Sequence, residues 1–148
     1  MTGRFGSDIA MIKSKVLIAG SGEGELLQLH DPISFWGGVD PSNGRIIDKG
    51  HSEHGESVDG KIIALKTTIG SSSGSSVLLE LLAVRHGPTG IILTDPDPIL
   101  TLGVIVGREL GYGSIPVVQI DEDILASIPP FVAIDQNGEI RAITAVKE

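Results

Sequence analysis

Three continuous apolar runs, separated by two segments with helical spacing, constrain the fold of this chain most strongly. The runs are KIIALK (61–66), GIILTD (90–95) and IPVVQID (115–121). Strands that are apolar at nearly every position are typical of parallel sheets covered on both faces. The segments between them, VLLELLAVR (77–85) and ILTLGVIVGREL (99–110), have helical periodicity. The pattern predicts a β-α-β-α-β unit with parallel strands and right-handed crossovers.

Residues at the ends of the two predicted helices support these boundaries. Gly87-Pro88 stops the first helix. Asp97 suits the N-cap of the second helix, with Pro98 in its first turn. Gly111 suits a left-handed cap at its end. Arg85 and Arg108, near the two helix C-termini, are explained as partners of the helix dipoles.

The segments outside this unit predict further strands. Short apolar runs at 15–20 and 24–29 indicate two strands, and residues 30–60 are mostly loop. The tail at 131–144 alternates around Asn137-Gly138, which predicts a hairpin. We expect the early strands and the hairpin to form a second sheet beside the parallel one.

The expected architecture is therefore an α/β fold with three layers, β/β/α. We see no linker that would divide the chain, so residues 1–148 are expected to form a single domain. Residues 1–13 have no clear periodicity and are expected to form a loose N-terminal arm.

The net charge of −8 and the lack of cysteine exclude several classes of function. Nucleic-acid-binding proteins usually carry a basic patch, and the nearest approach to one here is Lys13 with Lys15. Without cysteine the chain supplies no thiolate to zinc or to an iron–sulfur cluster. No apolar run approaches the roughly 18 residues of a membrane span, and residues 1–15 lack the apolar stretch of a signal peptide. We expect a cytoplasmic protein that binds neither nucleic acid nor a membrane.

The serine-rich block GSSSGSS (70–76) is the strongest candidate for a functional site. It lies between a buried strand and a helix, where free backbone N–H groups and the helix dipole favour an anion. On spacing alone, it is equally possible that one serine caps the helix and the others fill a tight turn. A nucleotide-binding P-loop is excluded because no lysine follows the second glycine. A hydrolase elbow at Ser72 would need a histidine late in the chain, and the last one is His86.

A second candidate segment is SFWGGVDP (34–41), which holds the only tryptophan of an aromatic-poor chain. Gly37 and Gly38 would allow the backbone to approach a ligand or a neighbouring chain closely. The alternative is that Trp36 covers the core and the two glycines form a turn. We favour a binding site or an interface.

Two histidines in the long loop, His51 and His54, are candidate metal ligands beside several carboxylates. No helix or strand pattern fixes their relative positions, so we favour a solvated acidic loop. His30 lies at the end of a predicted strand and indicates no particular chemistry.

Taken together, these blocks resemble a known family. The segments SFWGGVDPSNGRIID (34–48) with His51, GSSSGSSVLLELL (70–82) and DPILTLGVIVGRELGYGSIPVV (97–118) are similar, in order and spacing, to the small subunit or swivel domain of aconitase X. The resemblance covers roughly residues 14–145. The pairing of FWGGVDP with GSSSGS is its most specific part.

The resemblance implies the swivelling β/β/α fold of the aconitase superfamily and a hydro-lyase (dehydratase) that is inactive without a large subunit. That partner would carry the iron–sulfur cluster, and no metal ligand or cofactor is expected in this chain. The family's proton acceptor falls on Ser71. The expected substrate-binding residues are Gly70, Ser72, Ser73, Trp36, Gly37 and Gly38.

The implied reaction removes a proton next to a carboxylate while a β-hydroxyl departs. Iron in the partner would act as a Lewis acid on the departing oxygen. A serine hydroxyl is a weak base, so Ser71 would need the helix N-terminus and the hydroxyls of Ser72 and Ser73 to stabilise an alkoxide. Many members have a basic residue before the glycine, where this chain has Ile69. A full cation for the substrate would then come largely from the partner.

Known substrates in the family are cis-3-hydroxy-L-proline and phosphomevalonate. The phosphomevalonate type has Thr-Val after the first serine, whereas this chain has Ser72-Ser73. This difference favours a small hydroxy acid resembling cis-3-hydroxy-L-proline. The alternatives are the small subunit of a phosphomevalonate dehydratase and, from another class, a non-catalytic binding or carrier module modified on His51 or His54.

Overall fold

The computed structural model describes residues 11–145 and confirms the α/β class. The predicted unit consists of β4 (Ile62–Leu65), α1 (Gly74–Val84), β5 (Gly90–Leu93), α2 (Pro98–Glu109) and β6 (Val117–Gln119). The remaining strands of this region are β1 (Ile12–Lys13), β2 (Lys15–Ile18), β3 (Gly22–Gln28), β7 (Phe131–Ile134) and β8 (Glu139–Ala142). A kinked turn at Phe35–Gly38 and an unpredicted 3-10 turn at Glu122–Ser127 complete the described elements.

The strands form one strongly curled sheet. β3, β4, β5 and β6 run parallel in that order, and β2 pairs antiparallel with β6. On the other side β7, β8 and β1 follow β3 in antiparallel pairing. The edge strands β1 and β2 are separated only by Ser14, whose hydroxyl donates to the Gly138 carbonyl at 2.6 Å. The two edges therefore meet at Ser14, and the sheet is close to a barrel.

The early strands and the hairpin do not form a separate second sheet, because they pair with strands of the parallel unit. The first half of β3 pairs with β7 and the second half with β4, so one strand belongs to both parts of the sheet. β2 joins the parallel part through β6 instead of the hairpin. Glycines make this packing possible. A Cβ on Gly22 would lie 1.9 Å from the carbonyl oxygen of Thr89, and a Cβ on Gly24 would lie 2.5 Å from the carbonyl oxygen of Gly60.

The helices, the parallel strands and the hairpin form three layers, and a buried hydrophobic cluster lies on each face of the parallel strands. The cluster facing the helices includes Ile63, Leu65, Ile91, Leu93, Val117, Leu78, Leu81, Leu100 and Val104. The cluster facing the hairpin includes Ile62, Ala64, Ile92, Val118, Val132, Ile134 and Ile140. Successive residues of a strand point to opposite faces, so both faces of β4 and β5 are buried. This explains their unbroken apolar sequence and confirms the β/β/α arrangement.

The helix ends differ slightly from those predicted. α1 begins at Gly74, not at Val77, so three residues of the serine-rich block belong to its first turn. Asp97 caps α2 as predicted, since its Oδ1 accepts the amides of Ile99 (3.0 Å) and Leu100 (3.1 Å). α2 ends at Glu109, and Gly111 follows with φ of +82°.

Arg85 closes α1 in a left-handed conformation. Its φ is +65°, and its N–H donates to the carbonyls of Leu81 and Leu82. Arg85→Gly is therefore expected to raise the free energy of unfolding by about 0.5–1 kcal/mol, because glycine adopts this conformation without strain. Urea unfolding checks this, with Ala83→Gly inside α1 as a control that should lower stability by about 1 kcal/mol. Equal or lower stability of Arg85→Gly would contradict the assignment of strain.

Most of the predicted N-terminal arm, residues 1–10, lies outside the described residues. Its last part is not loose, because Ile12 and Lys13 pair with Ile140 and Glu139. A two-residue strand is too short to produce a periodic pattern in the sequence, so it was missed. Between residues 11 and 145, no helix is long and apolar enough to cross a membrane.

Candidate active site

Two segments that leave neighbouring parallel strands lie side by side and form the candidate site. One follows β3 and covers residues 29–38, and the other follows β4 and covers residues 66–74. They are joined by a backbone hydrogen bond from the Ile69 N–H to the Ile33 carbonyl (2.9 Å). The two blocks singled out in the sequence therefore form one surface at the carboxyl end of the parallel strands.

Glycines allow these two segments to touch. Gly70 has φ of +87°, and a Cβ there would lie 2.6 Å from Ser34 Oγ and 2.7 Å from Ser34 Cβ. A Cβ on Gly74 would lie 3.3 Å from Phe35 Cβ. The Ser34 hydroxyl donates to the Trp36 carbonyl at 2.9 Å. Ser34 thus links both segments, although nothing in the sequence indicated which residue would face Gly70.

The serine residues before α1 face outward. Ser71, Ser72 and Ser73 are all exposed. Ser71 Oγ accepts the N–H of Ser73 at 3.0 Å, whereas the amides of Ser71 and Ser72 have no hydrogen-bond partner within residues 11–145. Free N–H groups at a helix start carry partial positive charge. Ser73 occupies the N-cap of α1 and its side chain makes no capping hydrogen bond, so the expectation that a serine side chain caps the helix is wrong. Ser71 instead stabilises the turn before the helix, and its hydroxyl remains accessible.

A buried carboxylate fixes the start of the serine-bearing segment. Asp97 is 2% exposed, and its Oδ2 accepts both the N–H and the hydroxyl of Thr68 at 2.7 Å. Its other oxygen caps α2, so Asp97 ties the loop after β4 to the next helix. The sequence predicted the cap but not the bonds to Thr68, which lies 29 residues away along the chain.

The turn that contains Trp36 places this side chain at the surface. Trp36 is 60% exposed, whereas the neighbouring Phe35 is 1% exposed and fills the core. The alternative that Trp36 covers the core is therefore wrong. Gly37 is also exposed and has φ of +85°. Gly38 is buried, and a Cβ there would lie 3.2 Å from the Ile33 side chain. It therefore lies on the core side of the turn and is not exposed to a ligand.

His51 has a structural role in the long loop. Its side chain is fully buried; Nδ1 accepts the Glu53 N–H at 3.0 Å, and Nε2 lies 3.1 Å from the Asp31 carbonyl. Because Nδ1 accepts, Nε2 carries the proton and donates to this carbonyl. Both ring nitrogens are thus engaged. His54 is exposed and does not join His51 in a common site.

The chain offers no suitable set of ligands for a metal centre in the described region. Between residues 11 and 145, no group of three or more His, Cys, Asp or Glu residues is placed to hold a metal ion. The sequence also has no cysteine. The residues present therefore do not fit an iron–sulfur cluster, and we assign no reaction step to a cluster held by this chain.

The three layers and the exposed serine loop define a β/β/α domain whose candidate site is open to solvent. The chain belongs to the aconitase X swivel domain family, whose sequence profile matches residues 11–144. This confirms the family resemblance seen in the sequence.

The relatives include two kinds of dehydratase. The chain is 44% identical over 121 residues to a cis-3-hydroxy-L-proline dehydratase of Pseudomonas aeruginosa, a match that covers 80% of this chain and 21% of that protein. It is 33% identical over 134 residues to a phosphomevalonate dehydratase small subunit of Methanothermobacter thermautotrophicus, covering 88% and 98% of the two chains. The chain thus spans about a fifth of the length of the cis-3-hydroxy-L-proline dehydratases that it matches.

The fold is also similar to that of a solved relative. The crystal structure of Thermococcus kodakaraensis aconitase X in its holo-form superimposes with a TM-score of 0.78 at 28% identity. The match covers 90% of this chain and 98% of that chain. The swivel-type fold predicted from the sequence is therefore confirmed.

Proposed function

We propose that this chain is the small subunit of a two-subunit, cytoplasmic hydro-lyase that dehydrates a small hydroxy acid resembling cis-3-hydroxy-L-proline. The observation that carries this proposal is the exposed Ser71 hydroxyl at the start of α1, beside the exposed Trp36 turn. The site presents a hydroxyl and free amides but is exposed to solvent, so it suits a reaction in which another protein covers the site and supplies the remaining catalytic groups.

The role proposed for Ser71 is removal of the proton next to the substrate carboxylate. Ser71 Oγ already accepts the N–H of Ser73, and this bond together with the helix N-terminus would stabilise an alkoxide. The free amides of Ser71 and Ser72 are available to the negative charge that develops on the substrate. Gly70, Ser73, Trp36 and Gly37 are proposed to line the bound substrate, and Gly38 supports the turn.

The partner is proposed to be a large subunit of the aconitase X type. Exposed apolar side chains on and beside the two segments of the site support it: Trp36 is 60% exposed, Ile69 is 51% exposed, and Ile47, whose N–H donates to the Gly38 carbonyl in the Trp36 turn, is 46% exposed. Exposed apolar clusters of this kind are typical of surfaces that another protein covers. The absence of cysteine supports placing an iron–sulfur cluster in that partner, which is also assigned the departure of the hydroxyl group.

A second candidate is the small subunit of a phosphomevalonate dehydratase, which is favoured by the near-complete coverage of such a subunit. The carrier-module alternative finds no support at His51, because both of its ring nitrogens are hydrogen-bonded in the interior. Co-expression with the large subunit, followed by assays on both substrates, tests the function. The chain alone should be inactive, and the complex should dehydrate one substrate. A complex inactive on both would contradict the proposal.

Assembly can be followed at the only tryptophan of the chain. With 5-fluorotryptophan incorporated into this subunit alone, the single ¹⁹F resonance of Trp36 should shift and lose its H₂O–D₂O solvent effect when the large subunit is added. Ile47→Asp should weaken association at least about tenfold, because a charge would be buried at the interface. Val16→Asp, at an exposed apolar position on β2, is the matched control and should bind normally. An unchanged Trp36 signal in an active complex would contradict the proposed docking surface.

A further inference from the structure

A cleft of about 300 Å³ lies beside the serine loop, where β3 and β4 end. Leu29, Leu65 and Ile69 supply apolar walls, while Asp31, Lys66 and His30 bring titratable groups to it. An apolar pocket with a few convergent polar groups is the usual form of a small-molecule site, and this volume is at the small end of the range. The cleft therefore suits a small ligand with polar ends.

The cleft and the serine loop are within reach of one small molecule. Ile69 forms part of the wall, and only Gly70 separates it from Ser71. Since consecutive Cα atoms are about 3.8 Å apart, the Cα atoms of Ile69 and Ser71 are separated by no more than about 7.6 Å. The serine loop therefore begins at the edge of the cleft, although Ser71 is not one of the residues that line it. The pocket proposed below requires the bound hydroxy acid to extend past Gly70 to the Ser71 hydroxyl.

Asp31 brings a fixed negative charge to this cleft. Its Oδ2 accepts the hydroxyl (2.5 Å) and the N–H (2.8 Å) of Ser52. These bonds hold the pKa of Asp31 below its usual value, with the Ser52 hydroxyl as the largest cause. Oδ1 has no hydrogen-bond partner within residues 11–145, so it is available to a cationic group of a ligand.

Lys66 brings the opposite charge. It is exposed at the cleft and forms no ion pair within residues 11–145. The other basic side chain there, His30, is already engaged, because its Nδ1 lies 2.9 Å from Glu53 Oε2. The cleft thus presents one available ammonium group and one available carboxylate oxygen.

We propose that this cleft is a substrate-recognition pocket for a zwitterionic hydroxy acid, in which Lys66 binds the carboxylate and Asp31 binds the amine. This inference rests on the proposed function and names the substrate class of that site. A hydroxy acid with a phosphate and no amine would bring a second negative charge close to the Asp31 carboxylate, and the two would repel each other. The chain itself then provides the full cation that we expected to come largely from the partner.

Steady-state kinetics of the two-subunit complex test the proposal with cis-3-hydroxy-L-proline and phosphomevalonate as the two substrates. The wild-type complex should turn over cis-3-hydroxy-L-proline in preference. Lys66→Ala and Asp31→Asn should each raise its KM at least about tenfold, since each removes one charge-assisted contact. The value of kcat should change much less, because neither residue takes part in proton removal. Lys66→Arg should keep most of the affinity.

Two matched controls separate recognition from structure. Asp135 also accepts two hydrogen bonds on one carboxylate oxygen, from the N–H groups of Asn137 (2.9 Å) and Glu139 (3.0 Å), but it does not line the cleft. Lys15 lines a different surface pocket. Asp135→Asn and Lys15→Ala should leave the KM unchanged, whereas a rise in KM in the controls equal to that of the cleft variants would overturn the proposal.

The failures of the two proposals are distinguishable. A complex that prefers phosphomevalonate, or a KM for cis-3-hydroxy-L-proline that neither cleft variant changes, overturns the pocket while the hydro-lyase function stands. A wild-type complex that dehydrates neither substrate contradicts the proposed function, and the pocket with it.

Discussion

Ser71→Ala should lower kcat of the two-subunit complex by about 10²–10⁴-fold, the usual contribution of a positioned general base. Association with the large subunit should be unchanged, because a single exposed hydroxyl is lost. The variant should lose about 1 kcal/mol of stability, since Ser71 Oγ no longer accepts the Ser73 N–H in the turn before α1. Turnover, a binding titration and urea unfolding measure these three effects separately.

Ser76→Ala is the matched control for this variant. Ser76 is another exposed serine, in the first turn of α1, and its loss should leave kcat within about threefold, as for other surface substitutions. If Ser71→Ala retained wild-type turnover, Ser71 would serve only to stabilise the turn before α1. The alternative interpretation of the serine block would then be sufficient.

Gly70→Ala should be the most damaging single-methyl change in the loop. The added Cβ would lie 2.6 Å from Ser34 Oγ and 2.7 Å from Ser34 Cβ, so rotation of the Ser34 side chain cannot relieve the clash. The positive φ adds about 1 kcal/mol and the overpacking about 1–3 kcal/mol, for a loss of about 2–4 kcal/mol in the free energy of unfolding. Turnover should fall with it, because Ser71 is displaced.

Gly37→Ala separates the two contributions. Gly37 has nearly the same φ, +85°, but a Cβ there would meet nothing within 4 Å. Its substitution should therefore cost only about 1 kcal/mol, the conformational part. Equal losses for the two variants, measured by urea unfolding, would show that the contact between Ser34 and the loop has no energetic importance.

The parallel unit was predictable because its signals are local. The apolar runs of β4 and β5 follow from burial on both faces, and Asp97-Pro98 marks the start of α2. The division of β3 between two partners and the closure of the sheet at Ser14 were not predictable. Both depend on pairing between residues far apart in sequence, such as Ile12 with Ile140. A single sequence contains no local signal that indicates such pairing.

The candidate site was predictable in part for the same reason. The serine block and the Trp36 turn are distinctive in composition, so they could be singled out before the structure showed them in contact. Their neighbours could not: Ser34 and Thr68 are common residue types, and their roles arise from contacts with Gly70 and Asp97. His51 was expected in a solvated acidic loop, and this expectation is wrong because its side chain is buried, which the sequence does not indicate.

The central claim is that the Ser71 hydroxyl removes the substrate proton. The most direct test is to measure the release of a deuterium label from the carbon that loses this proton. cis-3-Hydroxy-L-proline deuterated next to its carboxylate can be incubated with the complex while release of the label into water is measured. The wild-type and Ser76→Ala complexes should release deuterium at the rate of turnover, and Ser71→Ala should release almost none. Release from the Ser71→Ala complex at the wild-type rate would contradict the claim.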